Sequence, residues 1–494
     1  MAQPQERTSH PTAALLLLLL ALPLANPVSL AAQDAGLDTL AIRAHTHFLA
    51  HDLLEGRGTG SRGARIAATY IAAQCRALGL LPVAGSYLQE VPLEEARVLD
   101  GTALRAVAPG MVASFSYPRD FTPNVGTAAT VVGFAGEAFF VGSGREVEQG
   151  GLGDRDVSGR VAVTLGPLRG PAADTLKRRG LAGMIHLVAT DEAYQLYARS
   201  RGATRLYHAD PEVRSSFLPE LPSVIAGPSV ARALLAELAG QSVAEAALRP
   251  LAWTVDVNIA LERGPLEARN AACVLPGSEP GARDTAIVFS AHYDHLGIGA
   301  PDEHGDSVFN GFSDNAAGVA MLLAIADHLV RGGPLRHTAM FLFPSGEERG
   351  LLGSDYYVAR PLWPLDRTAA VINLDAGAPP GRLTSWHLAG ARGTELGDLA
   401  VLVARQRGWA VETSAARPNS DYYPFAREGV GALLIIPGQA PYEGLSEDSS
   451  TTIRRRWEHY HEPADEWDEE FPFGGLARYA EYALLIARAV DQPR

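Results

Sequence analysis

From about residue 256 onward, apolar runs alternate with helical patterns, and this alternation restricts the fold more than any other feature of the chain. The apolar runs lie at residues 285–291, 338–344, 369–374 and 432–437, and the helical patterns at residues 316–330, 395–406 and 475–490. Each run is apolar throughout, which is typical of strands buried on both faces of a sheet. The pattern predicts an α/β fold with a mixed central β-sheet flanked by helices.

The stretch between residues 100 and 255 has a different character. Short β-rich runs are separated there by glycine, proline and aspartate, and only short helical patterns interrupt them. Two helical patterns, at residues 35–54 and 64–78, come before this stretch. We therefore predict a β-rich domain at residues 100–255, inserted into an α/β domain that residues 32–99 and 256–494 form.

The N-terminus has the pattern of a targeting segment. Residues 13–24 are apolar, and small residues follow close to Ala31. Such a run is shorter than the roughly 20 residues that span a bilayer, and it fits the apolar region of a secretory signal peptide. We predict a signal peptide at residues 1–31 and a secreted or periplasmic protein with no stable membrane insertion after cleavage. An uncleaved anchor is the alternative.

The charge of the chain bears on its partners. The formal net charge is −14, and no long basic run is present. Because phosphate contacts need clustered lysine and arginine, we predict no nucleic-acid partner. The one basic triplet, at residues 454–456, stands among acidic residues and is interpreted as a solvated face. Nothing in the sequence predicts an oligomeric state.

The cysteine content limits the kind of metal site that the chain can build. Cys75 and Cys273 are the two cysteines, too few for a multi-cysteine zinc site. Any metal must therefore be held by histidine, aspartate and glutamate. The sequence leaves open whether Cys75 and Cys273 form a disulfide.

Ionisable side chains follow the predicted strands at the points where the strands end. In open α/β sheets, ligands bind beyond the carboxyl ends of the strands. The candidates are His292 and Asp294 after the first strand, Asp314 at the start of the next helix, Glu347 and Glu348 after the second strand, Asp375 after the third, and Tyr460 with His461 near the C-terminus. Two histidines and three carboxylates from this set suit two Zn²⁺ ions, or other divalent ions, that share one bridging carboxylate.

The order of these motifs resembles that of the M28 family of co-catalytic zinc peptidases, in particular its secreted bacterial aminopeptidases. The motifs are His292-Tyr-Asp, Ser313-Asp-Asn-Ala-Ala-Gly, Gly346-Glu-Glu-Arg-Gly-Leu-Leu-Gly-Ser, Asn373-Leu-Asp and Tyr460-His. Residues 100–255 are similar in position to a protease-associated (PA) domain that many relatives carry. The resemblance implies a fold of the zinc exopeptidase type with an inserted PA-like domain.

The resemblance also implies a set of metal ligands. Asp314 would bridge the two ions. His292 and Asp375 would complete one site, and Glu348 and His461 would complete the other. The resemblance assigns three further roles: Glu347 as general base, Asp294 as the residue that orients the imidazole of His292, and Tyr460 as a donor to the oxyanion. Aromatic packing is the alternative for Tyr460.

These roles describe an exported dizinc aminopeptidase that removes N-terminal residues from a peptide or protein substrate through metal-activated water. A glutaminyl cyclase or a carboxypeptidase on the same scaffold is the main alternative. A carboxypeptidase is expected to carry a basic cluster for the substrate carboxylate, and the sequence offers no clear position for one. A non-catalytic binding protein is the third reading, and it predicts missing ligands or a missing base, whereas every position is filled.

Overall fold

The structure is a computed structural model that describes residue 1 and residues 37–124, 133–168, 170–201, 204–216 and 221–493. The predicted signal peptide at residues 1–31 lies outside the described residues, apart from residue 1. Among the helices that are described, none has the length and apolar character needed to cross a bilayer.

The helices and strands are labelled here in chain order. The α-helices are α1 Thr39–Leu49, α2 Arg62–Ala77, α3 Arg145–Glu148, α4 Pro171–Arg178, α5 Asp191–Arg201, α6 Pro228–Leu234, α7 Val243–Ala246, α8 Ala317–Gly332, α9 Leu352–Ala359, α10 Glu395–Gln406, α11 Tyr422–Arg427, α12 Glu447–Trp457 and α13 Gly474–Val490. Shorter helical turns lie at Asp52–Arg57, Ala236–Leu238, Phe312–Ala316 and Leu365–Arg367.

The strands are β1 Leu81–Pro82, β2 Leu88–Val98, β3 Ala103–Ala108, β4 Met111–Ser116, β5 Phe121–Asn124, β6 Gly133–Gly142, β7 Val161–Leu165, β8 Gly183–Leu187, β9 Thr204–His208, β10 Ser223–Ala226, β11 Arg249–Asn258, β12 Leu261–Leu275, β13 Ala286–Ser290, β14 Gly297–Ile298, β15 Val308–Phe309, β16 Thr338–Phe343, β17 Thr368–Leu374, β18 Ser385–Ala389, β19 Ala410–Ser414 and β20 Ala432–Pro437.

The larger sheet is mixed and has the strand order β19-β18-β20-β17-β13-β16-β12-β2-β9, with β1 paired to β12. Its centre is parallel, because β16, β13, β17 and β20 run in the same direction. Helix α8 packs against α1 and α13 on this sheet. It is apolar on nearly all sides because most of its residues are buried. The predicted α/β fold with a mixed central sheet is confirmed.

A second sheet of eight strands has the order β4-β3-β11-β6-β7-β8-β10-β5. All of its strands come from the stretch predicted as a β-rich insert, and their inward side chains form a separate hydrophobic core. One strand of that stretch departs from this arrangement. Strand β9 pairs antiparallel with β2 and extends the edge of the larger sheet. The boundaries at residues 100 and 255 remain a prediction.

The predicted elements near the N-terminus need one adjustment. The helical pattern at residues 35–54 forms a helix only over Thr39–Leu49, where Asp38 caps the first turn. The chain then tightens into the turn Asp52–Arg57, in which Glu55, Gly56 and Arg57 have positive φ. A side chain at residue 56 would collide with the carbonyl oxygens of Gly297 and Phe309, so glycine is required at this close approach.

Cys75 of α2 and Cys273 of β12 form a disulfide, with their Cα atoms 6.3 Å apart. Both cysteines are buried. The bond ties the N-terminal helical segment to the larger sheet across a sequence separation of 198 residues.

Candidate metal centre

The centre lies at the carboxyl edge of the larger sheet. Strand β13 is flanked by β16 and β17, and the three strands are parallel. Their carboxyl ends therefore meet at one edge, and the loops that follow them carry ionisable side chains. The loop after β13 carries His292, Asp294 and His295, whereas Glu347 and Glu348 follow β16. The remaining predicted ligands come from the loop after β17, the turn before α8 and the segment after α12.

His292, Asp314 and Asp375 form the first group of donor atoms. Nε2 of His292 lies 2.9 Å from Oδ1 of Asp375 and 3.2 Å from Oδ1 of Asp314. One ligand atom from each of the three residues lies within 4.8 Å of the others, so the group could hold a metal ion. The structure thus brings together the residues that were predicted for one site.

The second group uses the other oxygen of Asp314. Nε2 of His461 lies 3.1 Å from Oδ2 of Asp314 and 3.2 Å from Oε2 of Glu348. His295 completes this group, and again the ligand atoms lie within 4.8 Å of one another. Because the two groups share Asp314 through different oxygens, its carboxylate occupies the position of a bridge between two ions.

His295 was not among the predicted site residues. It is fully buried, and its Nδ1 lies 2.6 Å from Oε1 of Glu348. Its ring therefore fixes the orientation of the Glu348 carboxylate, whose second oxygen faces His461. The signal was present in the sequence, because His295 follows His292 by three residues in the same loop.

The turn that presents Asp314 is held from both sides. The Asp465 carboxylate accepts hydrogen bonds from the backbone N–H groups of Ser313, at 2.9 Å, and Asp314, at 3.2 Å. Asn315 donates through Nδ2 to the carbonyl oxygen of Leu374, directly before Asp375. A Cβ atom at Gly318 would overlap Asn315 Oδ1, so the packing requires glycine there. The turn is thereby joined both to the His461 segment and to the end of β17.

Asp294 lies behind His292, but its carboxylate is not the nearest partner of the imidazole. Nδ1 of His292 lies 3.1 Å from the backbone carbonyl oxygen of Asp294 and 3.8 Å from its carboxylate. The carboxylate accepts hydrogen bonds from Thr59 Oγ1 at 2.7 Å and from the backbone N–H of Glu347 at 3.3 Å. Asp294 thus links the loops that carry His292 and Glu347, and the carbonyl group contributes to the ring orientation.

Asp375 is held by a buried hydroxyl group. Ser420 Oγ donates to Asp375 Oδ2, and Ser420 in turn accepts a hydrogen bond from Asn373 Nδ2. The next residue, Asp421, is fully buried and accepts a hydrogen bond from Ser354 Oγ. Burial raises the pKa of Asp421 to about 7. These supporting residues come from distant parts of the chain and had no sequence signal that tied them to Asp375.

A buried arginine supports the loops from below. The Arg57 side chain donates through Nε to the carbonyl oxygen of Tyr293 at 2.8 Å. It also donates to the carbonyl oxygens of Asn310 at 2.6 Å and Gly311 at 2.9 Å, and to that of Leu49. Burial lowers the pKa of Arg57 to about 10. One side chain therefore ties the N-terminal turn to the loops that present His292 and Asp314.

The electrostatics of the centre favour positive charge between its carboxylates. Although burial opposes this, the carboxylates of Asp375 and Asp314 raise the pKa of His292 well above its usual value. Burial likewise opposes, and Asp314 and Glu348 outweigh it, so that the pKa of His461 rises to about 10. Burial and the charge of Asp375 raise the pKa of Glu347 well above its usual range. A metal ion would supply the positive charge that the two imidazoles otherwise provide.

A cavity of about 350 Å³ opens beside the two donor groups and is lined by Asp314, Glu347 and Asp375. Tyr460 also lines it, and its ring stacks on that of His461 with the centroids 3.8 Å apart. The Tyr460 side chain remains largely exposed, 68% by area. Further lining residues are Ile436, Pro437, Tyr442, Arg454, Trp457 and Glu458. The predicted ligands and the predicted base therefore share one accessible space.

The donor set fits divalent metal ions. Imidazole nitrogen and carboxylate oxygen are the ligands that zinc takes in sites without cysteine. Two groups that share Asp314 leave Glu347 in the same cavity but outside either group. This arrangement has the number and type of donors that the sequence predicted, with His295 in addition.

Comparison with solved structures supports the fold. An aminopeptidase from Aneurinibacillus sp. strain AM-1 is similar with a TM-score of 0.55 at 18% identity, over 92% of this chain and 94% of that chain. A zinc aminopeptidase from Bacillus subtilis gives a TM-score of 0.46 at 16% identity, over 92% and 96% of the two chains. No curated protein sequence matches the chain significantly.

The comparison with protein families concerns the part of the chain that builds the centre. Residues 270–487 match the model of peptidase family M28. This range contains β13, β16, β17 and all eight of the predicted site residues. Through this domain the chain belongs to peptidase family M28, and it is a metallopeptidase.

Proposed function

We propose that the chain is an exported dizinc aminopeptidase that removes N-terminal residues from peptides. The observation that carries the proposal is the pair of donor groups that share Asp314 and border the same cavity as Glu347. His292 and Asp375 would hold one ion with Asp314, and Glu348 and His461 would hold the other. His295 would orient Glu348 or act as an additional ligand.

Zinc is the metal that this donor set favours, because imidazole ligands argue against a site for magnesium or calcium alone. When bound, two such ions polarise a carbonyl group and lower the pKa of water. The chain itself supplies the surroundings in which that chemistry becomes directional. Asp314 bridges, and the hydrogen bonds from Ser313 and Asp314 to Asp465 keep the bridge in place.

Glu347 is the residue placed to move the proton. It lines the cavity without belonging to either donor group, so its carboxylate is available to a water molecule and to the scissile amide. We assign it to accept the proton of the attacking water and to pass it to the leaving nitrogen. Tyr460, on the opposite side of His461, would donate a hydrogen bond to the oxygen on which negative charge develops.

The substrate end is inferred from the charge of the cavity. Three carboxylates of the centre and Glu458 line this space, which favours a free N-terminal ammonium group. The similar fold in Aneurinibacillus is described as an aminopeptidase, which agrees with this choice. A glutaminyl cyclase or carboxypeptidase on the same scaffold remains the competing assignment.

One experiment separates these assignments. Purified protein would be analysed for bound metal and assayed with leucyl-p-nitroanilide and with the same compound acetylated at its amino group. We expect two zinc ions per chain, hydrolysis of the free-amine compound and none of the acetylated one. Chelation is expected to abolish the activity and added zinc to restore it.

The competing assignments give different products. A glutaminyl cyclase would convert glutaminyl-p-nitroanilide into the pyroglutamyl compound without releasing nitroaniline. A carboxypeptidase would release the C-terminal residue of N-acetylated peptides. Hydrolysis of the acetylated compounds alone would overturn the aminopeptidase assignment.

Export and the inserted domain belong to the same proposal. The disulfide Cys75–Cys273 supports an oxidising compartment, because such bonds are rare in reducing cytosol. We assign residues 1–31 to a signal peptide and residues 100–255 to a PA-like domain. Fractionation of cells that express the full chain, with N-terminal sequencing of the product, tests the first assignment. Full-length cytosolic protein would refute it.

A further inference from the structure

Arg454 lies in the catalytic cavity and has an unusual environment for a half-buried arginine. Helix α12 carries it to the wall that also contains Tyr442 and Trp457. Its guanidinium carbon lies 5.1 Å from the centre of the Tyr442 ring. Its hydrogen bonds to the carbonyl oxygens of Gln439 and Ala440 are long, at 3.4 Å each. Arg454 is therefore positioned by an aromatic ring and two weak backbone contacts.

No carboxylate lies at ion-pair distance from Arg454 in the part of the chain that the structure describes. Glu458 also lines the cavity but makes no ion pair with it there. A guanidinium group has five N–H donors in a planar fork, and both long contacts use the same nitrogen, Nη2. Donors thus remain available toward the cavity.

The adjacent arginines show that this environment is specific to one position. Arg456 donates to Glu470 at 2.6 Å and forms an ion pair with it. Arg455 is exposed and does not line the catalytic cavity. The interpretation of residues 454–456 as a solvated face thus fits Arg455, whereas Arg454 faces the cavity. A basic residue that the sequence did not place is present beside the metal centre.

We propose that Arg454 binds a carboxylate of the substrate, an inference that rests on the proposed function and names its substrate class. A planar guanidinium recognises a carboxylate through two parallel hydrogen bonds, and the Tyr442 ring holds the guanidinium in place for that contact. The carboxylate has two sources in a peptide substrate: the side chain of an N-terminal aspartate or glutamate, or the C-terminal carboxylate of a dipeptide.

Two matched substrate pairs separate these sources. The first pair is glutamyl- and glutaminyl-p-nitroanilide, which differ only in the side-chain carboxylate. The second pair is leucyl-leucine and leucyl-leucinamide, which differ only at the C-terminus. For each pair, the ratio of kcat/KM between the acidic and the neutral member is measured in the wild type, Arg454→Gln and Arg454→Lys. Arg455→Gln is the matched control on the same helix.

We expect one of the two ratios to fall by about 10- to 100-fold in Arg454→Gln, the scale of a lost hydrogen bond to a charged group. Arg454→Lys keeps the charge and is expected to retain part of the ratio, and Arg455→Gln all of it. Because ratios are compared within one variant, partial unfolding of Arg454→Gln cancels, and Arg454→Lys covers complete loss of that variant. Unchanged ratios in both Arg454 variants would overturn this inference alone. Failure of the wild type to cleave any of the four compounds would overturn the proposed function and this inference with it.

Discussion

Nδ1 of His295 lies 2.6 Å from Oε1 of Glu348, and this contact leaves the other carboxylate oxygen of Glu348 directed at His461. Residues that orient a metal ligand affect metal affinity by about 10- to 100-fold when they are replaced. We therefore expect His295→Ala to weaken metal binding by that factor, measured by competition with a chromophoric chelator. The exposed His304→Ala is the control. Equal metal affinity in both variants would show that the contact has no role in binding.

Glu347 lines the cavity without belonging to a donor group, so its replacement separates catalysis from metal binding. We expect Glu347→Gln to lose at least about 100-fold in kcat on leucyl-p-nitroanilide, the scale of general acid–base catalysis. Metal content, measured by elemental analysis, is expected to stay at the wild-type level. Glu303→Gln, on an exposed loop, serves as the control. Turnover close to that of the wild type would contradict the assignment of Glu347 as the base.

The order of the catalytic elements was predictable because local sequence determines it. The apolar runs that form β13, β16 and β17 identify buried parallel strands, and the residues after them meet at one sheet edge. The family resemblance then connected Asp314 and His461 to that edge. Their convergence agrees with the predicted arrangement, although their roles as ligands remain predictions.

The supporting residues were not predictable, because their function depends on contacts between distant segments. Arg57 acts through the carbonyl oxygens of Tyr293 and Gly311, and no periodicity or spacing relates these positions. Asp465 is similar, since it holds the Asp314 turn from across 151 residues of sequence. The pairing of β9 with β2 was missed for the same reason, as strand pairing at a sheet edge is non-local.

The disulfide between Cys75 and Cys273 closes a long loop, so its loss releases a large unfolded-state entropy. We expect Cys75→Ala with Cys273→Ala to lower the free energy of unfolding by about 2–5 kcal/mol in urea titrations without reductant. Wild-type protein under reducing conditions is expected to approach the stability of the variant. Two free thiols in unreduced, denatured wild type would contradict the bond.

Arg57 satisfies four buried carbonyl oxygens at once, and three of them belong to the loops of the metal centre. Lysine keeps the charge but lacks the planar fork, so Arg57→Lys leaves some of these carbonyls without a donor. Each unsatisfied buried group costs about 1–3 kcal/mol. We expect a lower thermal midpoint and weaker metal affinity in Arg57→Lys. The exposed Arg62→Lys is expected to change neither, and normal metal affinity in Arg57→Lys would show that Arg57 does not position the loops.

His208 ends β9, where this strand joins the larger sheet, and its buried ring lies near Tyr356. Neither ring nitrogen has a hydrogen-bond partner among the described residues. Burial lowers the pKa of His208 to about 4, so the folded protein keeps it neutral while the unfolded chain binds a proton below its ordinary pKa. The stability contribution of the neutral ring is thus present above pH 6.5 and is lost as the pH falls toward 4.

We expect His208→Phe to be as stable as the wild type at pH 7.5, because the ring makes no hydrogen bond that phenylalanine would lose. Between pH 6.5 and pH 4 the variant is expected to gain up to about 3 kcal/mol over the wild type, which corresponds to the lowered pKa of His208. Urea titrations of both proteins at several pH values measure this difference, with His304→Phe as the control at an exposed position. A stability difference that is independent of pH would show that His208 does not titrate with folding.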